Sequence, residues 1–314
     1  MASVAGFIEE WENDSPYITA FTSGSTGVPK EIRLLKADMI SSATATNKFF
    51  GITETSALAL PLSIEYIAGK MMVVRAITAG CTLLELPVSN NILIDRDVDL
   101  LSIVPTQLES VLKIKNAKQR IHNLLIGGAP LSTDQEKSIA DSGIRAWLGY
   151  GMTETCSHVA LRRIGHDETF HAMPGVTFSL DERNCLVVHS ERFSWKTLIT
   201  NDVAELISPS AFIWIGRADN IINSGGLKLQ PEMIEKTIRI SFPDLAPFYI
   251  TSEPDPVLGN RLVMVGECIP ISFLDLLKKA IPDHKILPKR IITVQKLPQL
   301  SNGKIKRLHP SEIF

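Results

Sequence analysis

The apolar positions of this chain fall into short continuous runs, and several of these runs are separated by stretches with helical periodicity. Residues 17–21 (Tyr-Ile-Thr-Ala-Phe) suit a buried strand, while Leu35, Met39, Ala43, Thr46 and Phe50 follow the 3.6-residue period of a helix. Further apolar runs at 57–62, 82–86, 100–104, 124–126 and 146–148 read as strands, with helices over 106–112 and 133–140. This alternation predicts an α/β fold with crossover helices. Phe7, Ile8 and Trp11 predict a short amphipathic helix at the start of the chain, leading through Pro16 into the first strand.

From Val176 the pattern changes to short strands and turns at 176–180, 185–189, 197–200 and 211–215, which predicts an antiparallel or barrel-like subdomain. A boundary is expected at 216–220, where an apolar strand ends in a charged turn. Beyond it come a Gly225-Gly226 turn, a helix opened by Pro231-Glu232, two more apolar segments and a closing basic loop. The expected division is residues 1–217 and 218–314, the second a small α+β domain.

Composition narrows the function classes. The 314 residues carry a net charge of −2, with 45% hydrophobic and 21% charged side chains, so the chain has no overall pull toward nucleic acid or membrane. The last thirty residues differ, because Lys285, Lys289, Arg290, Lys296, Lys304, Lys306 and Arg307 face only Glu312. A solvated tail and a contact for a polyanionic cofactor both explain that imbalance. Cys81, Cys156, Cys185 and Cys268 form no CxxC pair and point to a reducing cytoplasm. The first residues hold Glu9, Glu10 and Glu12 without a basic segment, and the apolar run 71–74 is bracketed by Lys70 and Arg75, so neither a signal peptide nor a membrane span is expected. Homo-oligomerisation stays open.

The richest chemistry lies in Thr22-Ser23-Gly24-Ser25-Thr26-Gly27-Val28-Pro29-Lys30. Glycines let backbone N–H groups curl toward an anion, and the hydroxyls and Lys30 add donors and positive charge, so the segment reads as a phosphate cradle. It is not a Walker A sequence, because position 29 is Pro and Lys30 precedes Glu31. Gly149-Tyr150-Gly151-Met152-Thr153-Glu154 follows an apolar strand, offering an aromatic face to a base and one carboxylate to Mg²⁺. Gly127-Gly128-Ala129-Pro130 leaves a surface without side chains for a flat base. Thr200-Asn201-Asp202 presents a carboxylate to ribose hydroxyls or is a solvated loop acid. Pro298-Gln299-Leu300-Ser301-Asn302-Gly303-Lys304 ends a turn in a lysine. The run His166, Asp167, Glu168, His171 lacks the flanking pattern of a metal site, and no G-x-S-x-G pentapeptide occurs.

In this order the segments resemble the adenylate-forming superfamily of acyl-CoA synthetases, nonribosomal adenylation domains and luciferases, from Thr22 to Arg307. The resemblance implies a large N-terminal α/β domain of layered sheets and a small mobile C-terminal domain, joined at a hinge in Gly216-Arg217-Ala218-Asp219. It implies ATP, Mg²⁺ and coenzyme A as ligands and a small carboxylic acid as substrate. Thr22, Ser23, Gly24, Ser25, Thr26, Gly27 and Lys30 would hold the phosphates, Gly128, Ala129 and Tyr150 the adenine, Asp202 and Arg217 the ribose, and Glu154, beside Thr153, the magnesium. Lys304 would serve the adenylation step, Asp219 the hinge, and Gly225 and Gly226 the thioester-forming step. Asn201 replaces the usual Gly of the ribose motif, and only 21 residues precede the phosphate loop where typical members have a further region.

Within the superfamily, residues 61–69 followed by Arg75 are similar to the acyl-pocket segment of o-succinylbenzoate-CoA ligases of menaquinone synthesis, with Tyr66 where many members have His. Lys70 and Arg75 then have two readings. Either they pair with a second substrate carboxylate, or they flank a buried segment. The implied activity is an AMP-forming acid–CoA ligase acting on an aromatic dicarboxylate; carrier-protein loading and a non-catalytic nucleotide-binding role are the alternatives.

Overall fold

A first unit is built from residues 1–178, 188–198 and 207–212, and a second from 179–187, 199–206 and 213–314. The computed structural model describes residues 3–21, 30–299 and 305–313.

The first unit opens with α1 (Val4–Glu12), capped by Ser3, whose Oγ accepts the Gly6 N–H at 3.1 Å. An antiparallel pair follows, β1 (Tyr17–Phe21) and β2 (Glu31–Leu35), with Phe21 opposite Glu31. The chain therefore returns as a strand before entering the expected helix, α2 (Lys36–Phe50). Met39, Ala43, Thr46 and Phe50 form the buried stripe of α2, as their spacing predicts.

Five parallel strands carry the unit: β3 (Ala57–Leu60), β4 (Thr82–Glu85), β5 (Leu100–Ile103), β6 (Leu124–Ile126) and β7 (Ala146–Gly151), in the order β4-β3-β5-β6-β7. Helix α3 (Ile67–Ala79) connects β3 to β4, α4 (Leu108–Leu112) and α5 (Ala117–Arg120) connect β5 to β6, and α6 (Thr133–Ser142) connects β6 to β7. Ser132 and Gln135 close a capping box on α6, each side chain accepting the other's backbone N–H. Two antiparallel strands, β8 (His158–Arg163) and β9 (Thr169–Ala172), extend the sheet beyond β7. The α/β class expected from the alternating pattern is what the chain adopts. Most of the core is apolar, with Ile18, Met39, Ala43, Leu58, Met71, Met72, Val74 and Leu100 fully buried. Helix α3 is buried on nearly every side from Gly69 to Ala76, so its two cations, Lys70 and Arg75, leave water with it.

Strands β10 (Val176–Leu180), β11 (Cys185–Ser190), β12 (Thr197–Ser208) and β13 (Ala211–Arg217) are hydrogen-bonded in that order, and each contributes residues to both units. No strand pairing closes a barrel among the described residues. Strand β12 runs well past residue 200, so Thr200, Asn201 and Asp202 lie within a strand and Asp202 is not the solvated loop acid that its turn-like neighbours suggested.

The second unit continues with a hairpin of β14 (Ile222–Ser224) and β15 (Leu227–Leu229), then α7 (Pro231–Ser241), which begins with proline at its first position. Strands β16 (Phe248–Asp255) and β17 (Gly259–Glu267) pair antiparallel, α8 (Phe273–Ala280) follows, and β18 (Arg290–Val294) pairs parallel to β17. Ile234, Ile238, Ile250, Met264, Leu277 and Ile291 pack as its core. Among the described residues no helix is long and apolar enough to cross a membrane.

Candidate active site

In a parallel sheet, ligand groups gather beyond the carboxyl ends of the strands. Ile126 of β6 lies opposite Leu148 of β7, so the segments following these neighbouring strands leave the same edge of the first unit. One is Gly127-Gly128-Ala129, with Gly128 exposed. The other is Tyr150 to Glu154. Its turn is fixed from within: the Thr155 side chain is fully buried, and its Oγ1 accepts the Met152 N–H at 2.9 Å and lies 2.7 Å from the Ser157 carbonyl oxygen. Gly151 is required there, since a Cβ at that position would stand 2.2 Å from the Ser157 carbonyl oxygen. Tyr150 is held by the edges of Phe212 and Phe170, at centroid distances of 5.0 and 5.9 Å.

Thr153 and Glu154 form a single 3-10 turn, and Glu154 borders a cleft of about 320 Å³ with Tyr17, Leu35, Asp38, Ser194 and Trp195. Asp38 is committed to Ser194, accepting its backbone N–H at 2.8 Å and its hydroxyl at 2.5 Å. No group of three His, Cys, Asp or Glu side chains gathers among the described residues. A single carboxylate such as that of Glu154 is the kind of ligand Mg²⁺ takes, since this ion keeps several waters and draws further oxygens from phosphates. Lys30 is exposed just before β2, while Thr22, Ser23, Gly24, Ser25, Thr26 and Gly27 lie outside the described residues.

Tyr66, Lys70 and Arg75 do not meet at one point. Tyr66 precedes the first turn of α3 and is 40% exposed. Lys70 is taken by α1, 3.4 Å from Glu10 Oε2 and 4.6 Å over the Phe7 ring. Arg75, five residues on and about 140° around the helix, faces elsewhere. It is 2% exposed and donates to Ser157 Oγ at 2.5 Å and Met72 Sδ at 3.3 Å. Burial brings its guanidinium pKa down to about 10.

Around Arg75 lies a polar cluster that sequence reasoning missed. His158 Nε2 is 3.2 Å from Thr46 Oγ1 and its Nδ1 is 3.3 Å from Ser157 Oγ. Burial, then the charges of Arg75 and Arg192, hold His158 well below the ordinary histidine pKa, so the ring is neutral. The one local signal was polar residues inside an apolar stripe: Ser42, Thr46 and Asn47 are all buried on α2.

In the second unit three predicted residues come together. Asp202 Oδ1 lies 3.3 Å from Arg217 Nη1 and 3.3 Å from Trp214 Nε1, while Arg217 Nη2 reaches Asp219 Oδ2 at 2.8 Å. Burial opposes the Arg217 charge, but Asp202 and Asp219 more than offset it and hold the guanidinium pKa above its ordinary value. Asn201 donates to Asp219 Oδ1 at 3.1 Å and so adds to this network. Gly225 and Gly226 form the two-residue hairpin turn with φ of +56° and +80°, the left-handed pair that such a turn demands.

Lys304 lies outside the described residues, but the segments on either side of 300–304 are anchored. Gln299 bridges Ile305, and the Lys306 N–H donates to the Pro298 carbonyl at 2.8 Å. Arg307 makes a two-pronged pair with Glu235 at 2.5 and 2.7 Å.

The family model for AMP-binding enzymes matches residues 5–189, more than half of the chain. The chain belongs to the AMP-binding enzyme family. This AMP-binding enzyme is 25% identical to the 2-succinylbenzoate–CoA ligase of Listeria monocytogenes over 96% of its length and 70% of the relative's. It is 28% identical to a probable 2-succinylbenzoate–CoA ligase of Mycobacterium tuberculosis, covering 96% of the chain and 85% of the relative. Among solved structures, an acyl-CoA synthetase (AMP-forming)/AMP-acid ligase II-like protein from Dyadobacter fermentans matches with a TM-score of 0.63 and 33% identity, over 95% of this chain and 90% of that one. The fold is also that of the Bacillus subtilis o-succinylbenzoate CoA synthetase in complex with the acyl-adenylate OSB-AMP, with a TM-score of 0.78 at 20% identity, over 92% of this chain and 67% of that one. These relatives place the AMP-binding enzyme among the AMP-forming acid–CoA ligases.

Proposed function

We propose that the protein joins an aromatic dicarboxylic acid to coenzyme A, and that the acid is 2-succinylbenzoate. The reaction runs in two steps. A substrate carboxylate oxygen attacks the α-phosphorus of ATP and pyrophosphate leaves; the CoA thiol, giving up its proton, then attacks the acyl carbonyl and AMP leaves. Both steps bring negative charges together, so fixed cations and backbone donors supply most of the acceleration.

In the first unit we assign the phosphates to residues 22–27 and Lys30, the adenine to Gly128, Ala129 and Tyr150, and the metal to Glu154 beside Thr153. Bound there, Mg²⁺ would neutralise phosphate charge. In the second unit we assign the ribose to Asp202 with Arg217, the adenylation step to Lys304, and the thioester-forming step to Gly225 and Gly226. Residues 218–314 would move about Asp219 between the two steps. A reducing cytoplasm suits the four cysteines, all of which are free.

The observation that carries the choice of acid is Arg75. A guanidinium that is 2% exposed and bonded, among the described residues, only to a hydroxyl and a thioether lacks the anion that a buried charge requires. A substrate with one carboxylate for activation and a second for Arg75 supplies it. The relatives' names supply the candidate.

The test is direct. Purified protein with ATP, Mg²⁺ and 2-succinylbenzoate is expected to release pyrophosphate, and adding CoA is expected to yield AMP and a thioester seen by mass spectrometry. Pyrophosphate release with other acids alone would remove 2-succinylbenzoate while keeping the ligase reading. No release with any acid would remove both.

A further inference from the structure

Taking a guanidinium out of water costs several kcal/mol unless an opposite charge accompanies it, at roughly the scale set by ion transfer into a low dielectric. The first unit contains a second arginine in that position besides Arg75. Arg192 lies between β11 and β12, and its Nε, Nη1 and Nη2 are all buried without a hydrogen-bond partner among the described residues. Its guanidinium rests 4.7 Å over the Phe193 ring, a contact that favours the cation but offers no acceptor. Arg75 Nε is likewise buried and without a partner.

Helix α2 meets the backbone of both arginines and the ring of His158. Within two turns, Ser41 Oγ donates to the Arg192 carbonyl at 3.4 Å, Thr46 Oγ1 meets His158 Nε2, and Asn47 Nδ2 donates to the Arg75 carbonyl at 2.9 Å. His158 stands between the arginines in charge as well, since both depress its pKa. The nearby groups do not supply the anion. His158 is neutral. The Cys156 thiol is pushed up to about 12, by burial first and by Asp38 second, and so stays protonated. Asp38 spends both carboxylate oxygens on Ser194. The cluster thus holds two positive charges and hydroxyls, with donor atoms on both cations unused.

We propose that Arg192 is a specificity-determining residue that acts with Arg75 to bind the second carboxylate of the acid, the one not activated by ATP, so that dicarboxylic acids are selected over monocarboxylic ones. This rests on the ligase reading above and adds to it the residue that enforces the choice. A planar carboxylate matches the donors, because each of its oxygens accepts from one guanidinium.

The experiment compares 2-succinylbenzoate with 4-oxo-4-phenylbutanoate, the same acid without its ring carboxylate, in the pyrophosphate-release assay. The native enzyme is expected to prefer the dicarboxylate. Arg192→Met is expected to lower kcat/KM for 2-succinylbenzoate by about 10²-fold, mainly through KM, and to leave the monocarboxylate within about threefold. Equal losses for both acids would mean a merely structural arginine, and unchanged preference would mean no role; either overturns the proposal. A native enzyme that prefers the monocarboxylate overturns it too while leaving the ligase reading intact. If Arg192→Met does not fold, Arg192→Lys keeps the charge without the planar fork, and an unaltered preference in that variant is the overturning result. If no acid is turned over at all, the melting temperature decides: 2-succinylbenzoate should raise it in the native protein and not in Arg192→Lys, and an equal shift in both overturns the proposal.

Discussion

His158 shows how a single side chain can carry a pH dependence that its sequence neighbourhood does not announce. In the unfolded chain its imidazole takes up a proton near pH 6.5; in the folded protein burial and two arginines push that event well lower. Below pH 6.5 the unfolded state therefore binds the extra proton. Stability from this group is full above 6.5 and declines in acid, by up to about 1.4 kcal/mol per pH unit. His158→Gln keeps a hydrogen-bonding side chain between Thr46 and Ser157 and is expected to flatten the acid side of the profile. Urea denaturation at pH 5, 6, 7 and 8 measures this, and an undiminished slope in the variant would mean that the native ring is not held neutral. Glycine-rich turns, Tyr150 and Glu154 were legible as candidate site residues because their chemistry is written in adjacent letters. His158 and Arg192 were not: Thr46 lies 112 residues from His158, and Arg192 stands beside Phe193, whose burial no local period announces.

Among the elements, those with a clean apolar period were legible and those whose buried positions are polar were not. The stripe of α2 and the runs of β3, β5 and β6 declare themselves. Strand β12 is legible only to residue 200; its continuation hides because the inward residues at 202 and 204 are Asp and Ala, so the period of two survives in burial while the letters read as a turn. Strand β2 hides for a related reason, since two of the five residues in Glu-Ile-Arg-Leu-Leu are charged and only Leu34 is buried. The β7 turn is where element geometry and chemistry are most tightly joined. Gly151→Ala would drive a methyl group against the backbone of Ser157 and His158, and a loss of about 1–3 kcal/mol is expected from such overpacking. The urea midpoint reports the loss, and pyrophosphate release should fall with it because Thr153 and Glu154 ride on the displaced turn. A variant as stable and active as the native enzyme would show that this backbone yields easily.

At the scale of the whole molecule, the α/β class could be read from the chain, whereas the sharing of strands between units could not. Local periodicity sees where a strand starts and stops; it does not see that β10 to β13 each serve two units. The proposed two-step chemistry belongs to this scale. Lys304→Ala is expected to slow adenylate formation by about 10² to 10³, the range for losing one preorganised transition-state contact. Thioester formation from a supplied acyl-adenylate should change little. Single-turnover measurements of each half-reaction make the comparison, and equal loss in both would refute separate roles for Lys304 and for Gly225-Gly226.

Arg217 remains, one cation gripped by Asp202 on one side and Asp219 on the other. Under the proposed chemistry these two carboxylates have different duties, one greeting the sugar of the nucleotide and the other serving as the pivot. Sharing a guanidinium makes them rivals. Whatever loosens the grip of the first strengthens the claim of the second, so the arrival and departure of the nucleotide would be felt at the pivot through a single side chain, with no longer relay required.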